Sequence, residues 1–171
     1  MNLMQVAFFI SGTVAVVSTA LAITRLVAVH ALLYLIVSLL AVAVVFYTMG
    51  APLVAALEVI IYAGAIVVLF VFVVMMLNLG TEASETERQW LSGRVWIGPV
   101  ILSALLLAEV IYLIVRSPQL GAASSLTAPK QIGIALYGPY LLGVELASML
   151  LLGALVGVCH LGRSPGPEVR R

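Results

Sequence analysis

The chain has 171 residues, of which 64% are hydrophobic and only 9% carry a charge. A soluble domain carries roughly 25% charged residues, so this chain lacks the polar side chains that would cover a globular surface and is predicted to be an integral membrane protein. Its formal net charge of +1 gives no indication of nucleic-acid binding, and its single cysteine, Cys159, rules out an internal disulfide.

The first three predicted membrane spans follow one another closely, each long enough to cross a bilayer, which takes about 20 residues. The first, residues 3–23, follows a start without the basic residues of a secretory signal, so we expect it to be retained. Arg25 separates it from the second span, residues 28–48. The third span covers residues 53–77. We place its start after Pro52 because proline begins a helix well and continues one poorly.

Two further spans follow the polar loop TEASETERQWLSGR. The fourth covers residues 96–115, and the segment 117–137 after it is rich in Gly, Ser and Pro, so we expect a short hairpin or a stretch lying on the membrane surface. The fifth span covers residues 138–161, and a short tail, residues 162–171, is expected to be disordered. The sequence therefore predicts a single all-α polytopic membrane domain with five transmembrane helices.

Basic residues in the loops predict the orientation, because cytoplasmic loops of membrane proteins are enriched in Lys and Arg. With the N-terminus outside, the inner segments contain Arg25, Arg88, Arg94, Arg163, Arg170 and Arg171. The outer segments then contain only Arg116 and Lys130. We therefore expect a periplasmic N-terminus and a cytoplasmic C-terminus.

Three acids lie within predicted spans, where a charged group at the helix centre costs roughly 2.5–3.5 kcal/mol. Glu109 stands two turns before Arg116 on the same helix face, which favours a side chain that reaches the outer interface. Glu145 is consistent both with a functional acid and with a protonated acid bonded to a neighbouring helix. Glu58 lies deeper than the other two, and its neighbours make it the strongest candidate for a functional role.

The residues after Glu58 combine a tyrosine with three small side chains. Tyr62 lies four residues further on, so on an α-helix its hydroxyl shares a face with the carboxyl group. Ala63, Gly64 and Ala65 follow at once. Small residues let membrane helices pack closely, but they also ease the formation of a π-bulge, a rare feature that tends to occur at functional sites. The residue types alone favour close packing.

No catalytic pattern is present. The sequence has no zinc-protease, paired-cysteine or phosphate-loop motif and only two histidines. A redox or hydrolytic site on this chain alone is therefore not expected.

Five segments of the chain carry a resemblance to one family. They are HALLYLIVSLLA (His30–Ala41), ALEVIIYAGAIVVLFVFVVMMLNLG (Ala56–Gly80), ERQW (Glu87–Trp90), VWIGPVILSA (Val95–Ala104) and GPYLLGVELASMLLL (Gly138–Leu151). Together they resemble the subunit J family of the bacterial proton-pumping NADH–quinone oxidoreductase, respiratory complex I. The pattern E-x-x-x-YAGA-x-x-VLF is the most specific part of the match.

The resemblance implies a five-span, non-redox subunit of the membrane arm in the bacterial inner membrane, with its N-terminus outside. It implies no cofactor on this chain, since FMN and the iron–sulfur clusters belong to the peripheral arm and quinone enters near another subunit. The implied partners are the lipid bilayer and the other membrane-arm subunits, namely A, H, K, N and the neighbouring antiporter-like subunits.

The resemblance also implies a π-bulge at Tyr62, Ala63, Gly64 and Ala65, which reverses the preference for simple packing. Conversion of the bulge to α-helix is expected to rotate the rest of the span by about 100° and open a hydrated proton path. In the bulged state the apolar residues that keep this path dry would be Val67, Val68, Leu69 and Phe70. Glu58 and Tyr62 would anchor the helix beside the path, and Glu145 would contribute to it.

Two alternatives remain at this point. The chain could be a purely structural element that packs neighbouring subunits together, with its polar residues forming helix–helix bonds. It could also be a free-standing proton-coupled transporter that uses Glu58. The sequence offers no set of polar residues large enough to bind a substrate, which argues against the transporter.

Overall fold

A computed structural model of the chain describes residues 3–25, 28–77, 93–116 and 128–162. Within these ranges the backbone is helical apart from short turns, and no strand occurs there. The elements are α1 (Leu3–Thr24), α2 (Ala28–Thr48), α3 (Pro52–Leu57), a π-helical segment (Glu58–Ile66), α4 (Val67–Leu77), α5 (Gly93–Arg116), α6 (Pro129–Tyr137) and α7 (Leu141–Leu161). Five helical stretches are long and apolar enough to cross a membrane, which confirms the five predicted spans.

The chain divides into two compact units, Met1–Thr127 with α1 to α5 and Ala128–Arg171 with α6 and α7. In the first unit, α1 and α2 pack together along their lengths, and α5 packs against both. The core is formed by apolar side chains of all three helices, namely Val14, Ala15, Val37, Ala41 and Leu106. This three-helix core supports the third span, which contacts α2.

Hydroxyl groups join α1 to α2 beside this core. The Ser38 hydroxyl donates a hydrogen bond to the backbone oxygen of Ala15 (3.1 Å) and lies 2.7 Å from the Thr19 hydroxyl. Hydrogen bonds of this kind between membrane helices contribute about 0.6 kcal/mol each. The first two spans are therefore held by close packing with a modest polar contribution.

A tight turn separates α2 from the third span. Gly50 has a φ of 82°, a left-handed conformation that glycine adopts without steric cost. The amide of Gly50 bonds to the oxygen of Tyr47 and the amide of Ala51 bonds to the oxygen of Phe46, both at 3.1 Å, which is the Schellman pattern of helix ends. Pro52 then begins α3, so the predicted break between the second and third spans is confirmed.

In α5, a contact with α2 lies close to the start of the helix. The Tyr34 side chain is only 3% exposed, and its hydroxyl occupies the space where a Cβ at position 98 would lie. Gly98 is followed by the buried Pro99. On the other side, the Arg25 guanidinium lies 5.2 Å from the centroid of the Tyr34 ring, within the range of a cation–π contact. Tyr34 therefore connects the α1–α2 turn to α5.

The second unit contains two helices. The first, α6, occupies Pro129–Tyr137, in the segment for which we expected a short hairpin or a stretch on the membrane surface, and α7 begins at Leu141, three residues after the predicted start of the fifth span. The reason is Pro139, because the residue before a proline is disfavoured in the helical conformation, and Gly138 has φ −109° and ψ −108°. The predicted loop residues 117–127, most of the loop before α5 and the tail from residue 163 lie outside the described residues.

Candidate functional site

The middle of the third span has π-helical winding from Glu58 to Ile66. At its downstream end the amide of Val67 donates to the backbone oxygen of Tyr62, five residues earlier, which is the spacing of a π-helix. At its upstream end the amide of Glu58 bonds to the oxygens of Val54 and Ala55, the tighter spacing of ordinary helix. The nine-residue segment includes the four small and aromatic positions singled out from the sequence.

Gly64 lies inside this segment at a crowded point of the backbone. A Cβ built at Gly64 would lie 3.1 Å from the backbone oxygen of Val59, five residues earlier. A backbone oxygen in a helix cannot swing aside as the end of a flexible side chain can, so even alanine would have to displace it. Ala63 is half-buried and Ala65 is exposed. Glycine therefore fits the winding better than any residue with a side chain.

Glu58 and Tyr62 are both present at the segment but do not bond to each other. Glu58 is half-buried, and Tyr62 is 51% exposed on the outside of the chain. Their predicted position on one face assumed α-helical winding, whereas a π-helix has more than four residues in each turn. Within the described residues, no hydrogen bond joins the Glu58 carboxyl group to the Tyr62 hydroxyl.

The four apolar residues after the π-helical segment do not share one environment. Val67 is 1% exposed, and it is the first residue of α4, which packs on α2. Val68, Leu69 and Phe70 are exposed on the chain surface. Four successive helical residues differ by about 100° each, so they cover most of the helix circumference. Val67 is the one that the structure places in contact with the interior.

Glu145 lies on α7 in the second unit. Its side chain is exposed, and its backbone oxygen accepts a hydrogen bond from the Ser148 hydroxyl at 2.7 Å. Its carboxyl group has no hydrogen-bond partner among the described residues. The carboxyl group is therefore available to a group outside the second unit.

Glu109 lies on α5, beside α1. Both of its carboxyl oxygens are buried without a hydrogen-bond partner, beside a cavity between α1 and α5. Arg116 instead lies over the Tyr112 ring, 6.0 Å from its centroid. The two-turn spacing gives Glu109 and Arg116 a shared helix face but does not reveal that α1 packs beside the carboxyl group. Sequence reasoning therefore underrated this residue. That Glu109 reaches the outer interface stays a prediction.

Within ranges 3–25, 28–77, 93–116 and 128–162, no three His, Cys, Asp or Glu side chains come close enough to hold a metal ion. The described polar side chains of the first unit include the acids Glu58 and Glu109, the buried His30 and several hydroxyl groups along the helices.

The chain is therefore an all-α membrane protein with five candidate spans. Its third span changes from α-helical to π-helical winding at the half-buried Glu58. The chain belongs to the NADH-ubiquinone/plastoquinone oxidoreductase chain 6 family, which matches residues 18–161. With its five apolar helices it is a multi-pass protein of the bacterial inner membrane.

Several relatives are similar over almost the whole chain. NADH-quinone oxidoreductase subunit J of Pseudomonas aeruginosa is 55% identical over 96% of this chain and 100% of its own length. The protein of the same name from Escherichia coli K12 is 55% identical over 94% of this chain and 87% of its own. A third, from Buchnera aphidicola of Schizaphis graminum, is 49% identical over 94% of this chain and 98% of its own.

Proposed function

We propose that this chain is the J subunit in the membrane arm of an NADH–quinone oxidoreductase and that its third span gates a proton path coupled to quinone reduction. The observation that carries this proposal is the π-helical segment Glu58–Ile66, inside a region that the family matches. Electron transfer takes place in other subunits in this proposal, with FMN and the iron–sulfur clusters in the peripheral arm. This chain contributes a change of winding.

The proposed gate has two states that differ in backbone hydrogen bonding. If the bond from Val67 to Tyr62 shifts to the i→i−4 spacing, all residues beyond it turn by about 100° relative to α3. Val67 then leaves its buried position beside α2, and another side chain of α4 replaces it. An apolar constriction excludes water and so stops ions or protons, whereas its rotation out of the path lets water enter.

The surroundings of the segment support such a movement. No residue of the π-helical segment is buried in this chain, and the side chains at Ala63, Gly64 and Ala65 are small or absent. Rotation therefore moves no buried side chain of the segment itself, and Val67 is the buried residue of α4 whose contact must change. Glu58 at the start of the segment stays attached to α3 and serves as the fixed acid beside the path.

The partners in this proposal are the other membrane-arm subunits, including A, H, K, N and the antiporter-like subunits. In the most apolar 18-residue window of the third span, only 6% of the residues are buried within this chain. In the corresponding window of α7, no residue is buried. These surfaces also favour a second candidate, a purely structural subunit that joins its neighbours. The two candidates differ in whether substitutions lower the amount of complex or the activity of each complex.

The direct test is a comparison of the intact oxidoreductase in its resting form and during turnover. We expect the backbone from Ile61 to Val68 to show i→i−5 bonding in one condition and i→i−4 bonding in the other, with water beside α4 only in the second. Cryo-electron microscopy at a resolution that shows carbonyl groups makes the measurement. The same register in every condition, without adjacent solvent, would contradict the gate.

Glu58→Gln tests the acid. The amide keeps the size and hydrogen-bonding capacity of the carboxyl group but cannot release a proton, so we expect coupled proton pumping to fall by roughly fivefold, equivalent to about 1 kcal/mol on a barrier. Thr13→Val is the matched control, because the Thr13 hydroxyl bonds only to the Phe9 oxygen of its own helix. Pumping is measured in membrane vesicles per assembled complex, and an unchanged value for Glu58→Gln would assign Glu58 a structural role.

A further inference from the structure

The Glu109 carboxyl group is enclosed by the chain's own helices and has no use in the gate described above. Both oxygens are buried, and neither has a hydrogen-bond partner. The adjacent cavity has a volume of about 190 Å³. Its walls are mostly apolar side chains of α1 (Leu3, Val6, Ile10) and α5 (Leu105, Ala108, Leu113).

Within the described part of the chain, no basic side chain pairs with this carboxyl group. Among the described residues that line the cavity, Tyr112 is the other titratable one, and α1 contributes only apolar side chains. The guanidinium of Arg116 lies over the Tyr112 ring and forms no ion pair with Glu109.

Burial decides which form of the acid the pocket can hold. An ionised carboxylate without hydrogen bonds or counter-ion costs several kcal/mol in such surroundings, whereas a neutral polar group without a partner costs roughly 1–3 kcal/mol on the scale of protein mutations. Binding a proton neutralises the carboxylate and so avoids the higher cost of the ionised form. The cavity beside the group has the volume of several water molecules, at about 30 Å³ each, and two residues of its wall, Leu105 and Tyr112, are about half exposed, so a proton can reach the carboxyl group from outside.

We propose that Glu109 and the cavity between α1 and α5 form a proton-binding site, in which a neutral carboxylic acid is held apart from the π-helical segment. The ligand is a proton, delivered by water that enters the cavity. This site is separate from the gate, since it lies on the contact of the first and fourth spans and shares no residue with the third.

A hydrophobic carbodiimide is a suitable probe, because it enters apolar cavities and reacts with protonated carboxyl groups. The carboxyl oxygen bonds to the central carbon of dicyclohexylcarbodiimide and the acid proton passes to a nitrogen. The acyl group then migrates to nitrogen, which leaves a stable acylurea with the full mass of the reagent. We expect membranes that contain the assembled oxidoreductase to yield this adduct on the peptide that includes Glu109.

Two variants make the assignment specific. Glu109→Gln removes the adduct from this peptide and, because the amide is neutral and of the same size, leaves the amount of assembled complex at the wild-type level. Ala108→Leu fills the cavity and lowers the labelling of Glu109 several-fold while the acid is still present. Native gels measure the complex, and mass spectrometry of the digested chain measures the adduct.

Two outcomes overturn the proposal. One is a Glu109 peptide that remains unmodified at a saturating carbodiimide concentration in both neutral and acidic buffer. The other is a several-fold loss of assembled complex in Glu109→Gln, which would mean that the carboxyl group is ionised and paired with a cation in the assembly. Both results are independent of the winding of the third span, so they leave the proposed gate untouched.

Discussion

Gly64→Val is expected to abolish quinone-coupled proton pumping while NADH-dependent reduction of ferricyanide continues at the wild-type rate. A Cβ added at Gly64 would lie 3.1 Å from the backbone oxygen of Val59. Valine adds two further methyl groups, and its branched side chain has few allowed rotamers. The side chain therefore disfavours the π-helical winding and obstructs passage between the two registers. Each 1.4 kcal/mol or so added to the barrier lowers the rate about tenfold.

The comparison with ferricyanide separates the two halves of the reaction, because this acceptor takes electrons before they reach the membrane arm in the proposed arrangement. Gly12→Val is the matched control, since a Cβ at Gly12 in α1 meets no atom within 4 Å. We expect the control to pump normally. Full pumping by an assembled Gly64→Val complex would remove the support for the gate. A loss of complex at unchanged activity per complex would favour the structural alternative.

The spans could be predicted from sequence because the thickness of the bilayer fixes their length. The first span was expected at residues 3–23 and lies at Leu3–Thr24, and the second agrees at both ends. The start of the fifth span at Leu141, three residues after the predicted one, depends on how the backbone turns around Pro139, which hydropathy does not detect. Hydropathy predicts that a membrane helix is present, whereas the residue at which the helix begins depends on local backbone conformation.

The details of the site depend on interactions that composition does not encode. A run of small residues suits both close packing and π-winding, and the difference lies in which carbonyl accepts each amide. The same holds for Val67, which looks like its three neighbours in sequence but is buried because α2 lies beside it. For Glu109, the spacing to Arg116 gave the helix face but not the burial of the carboxyl oxygens, which depends on α1 packing beside α5.

Gly98→Leu is expected to prevent stable assembly of the complex. A Cβ at this position would collide with the hydroxyl of Tyr34, a buried side chain of α2. Overpacking of a well-packed core typically costs about 1–3 kcal/mol, occasionally more. The loss of the contact would also release the Arg25 guanidinium from the Tyr34 ring. Native gels of solubilised membranes, probed for this chain, measure the effect.

A milder pair of variants shows whether this collision is the cause. Gly98→Ala alone is expected to lower the amount of complex, and Tyr34→Phe in the same chain is expected to restore part of it, because the nearest remaining ring atom would be 3.1 Å from the new Cβ. Residues in contact give non-additive effects in such a cycle. Additive losses from the two substitutions would show that Tyr34 and Gly98 act separately, and the contact between α2 and α5 would then have to depend on other side chains.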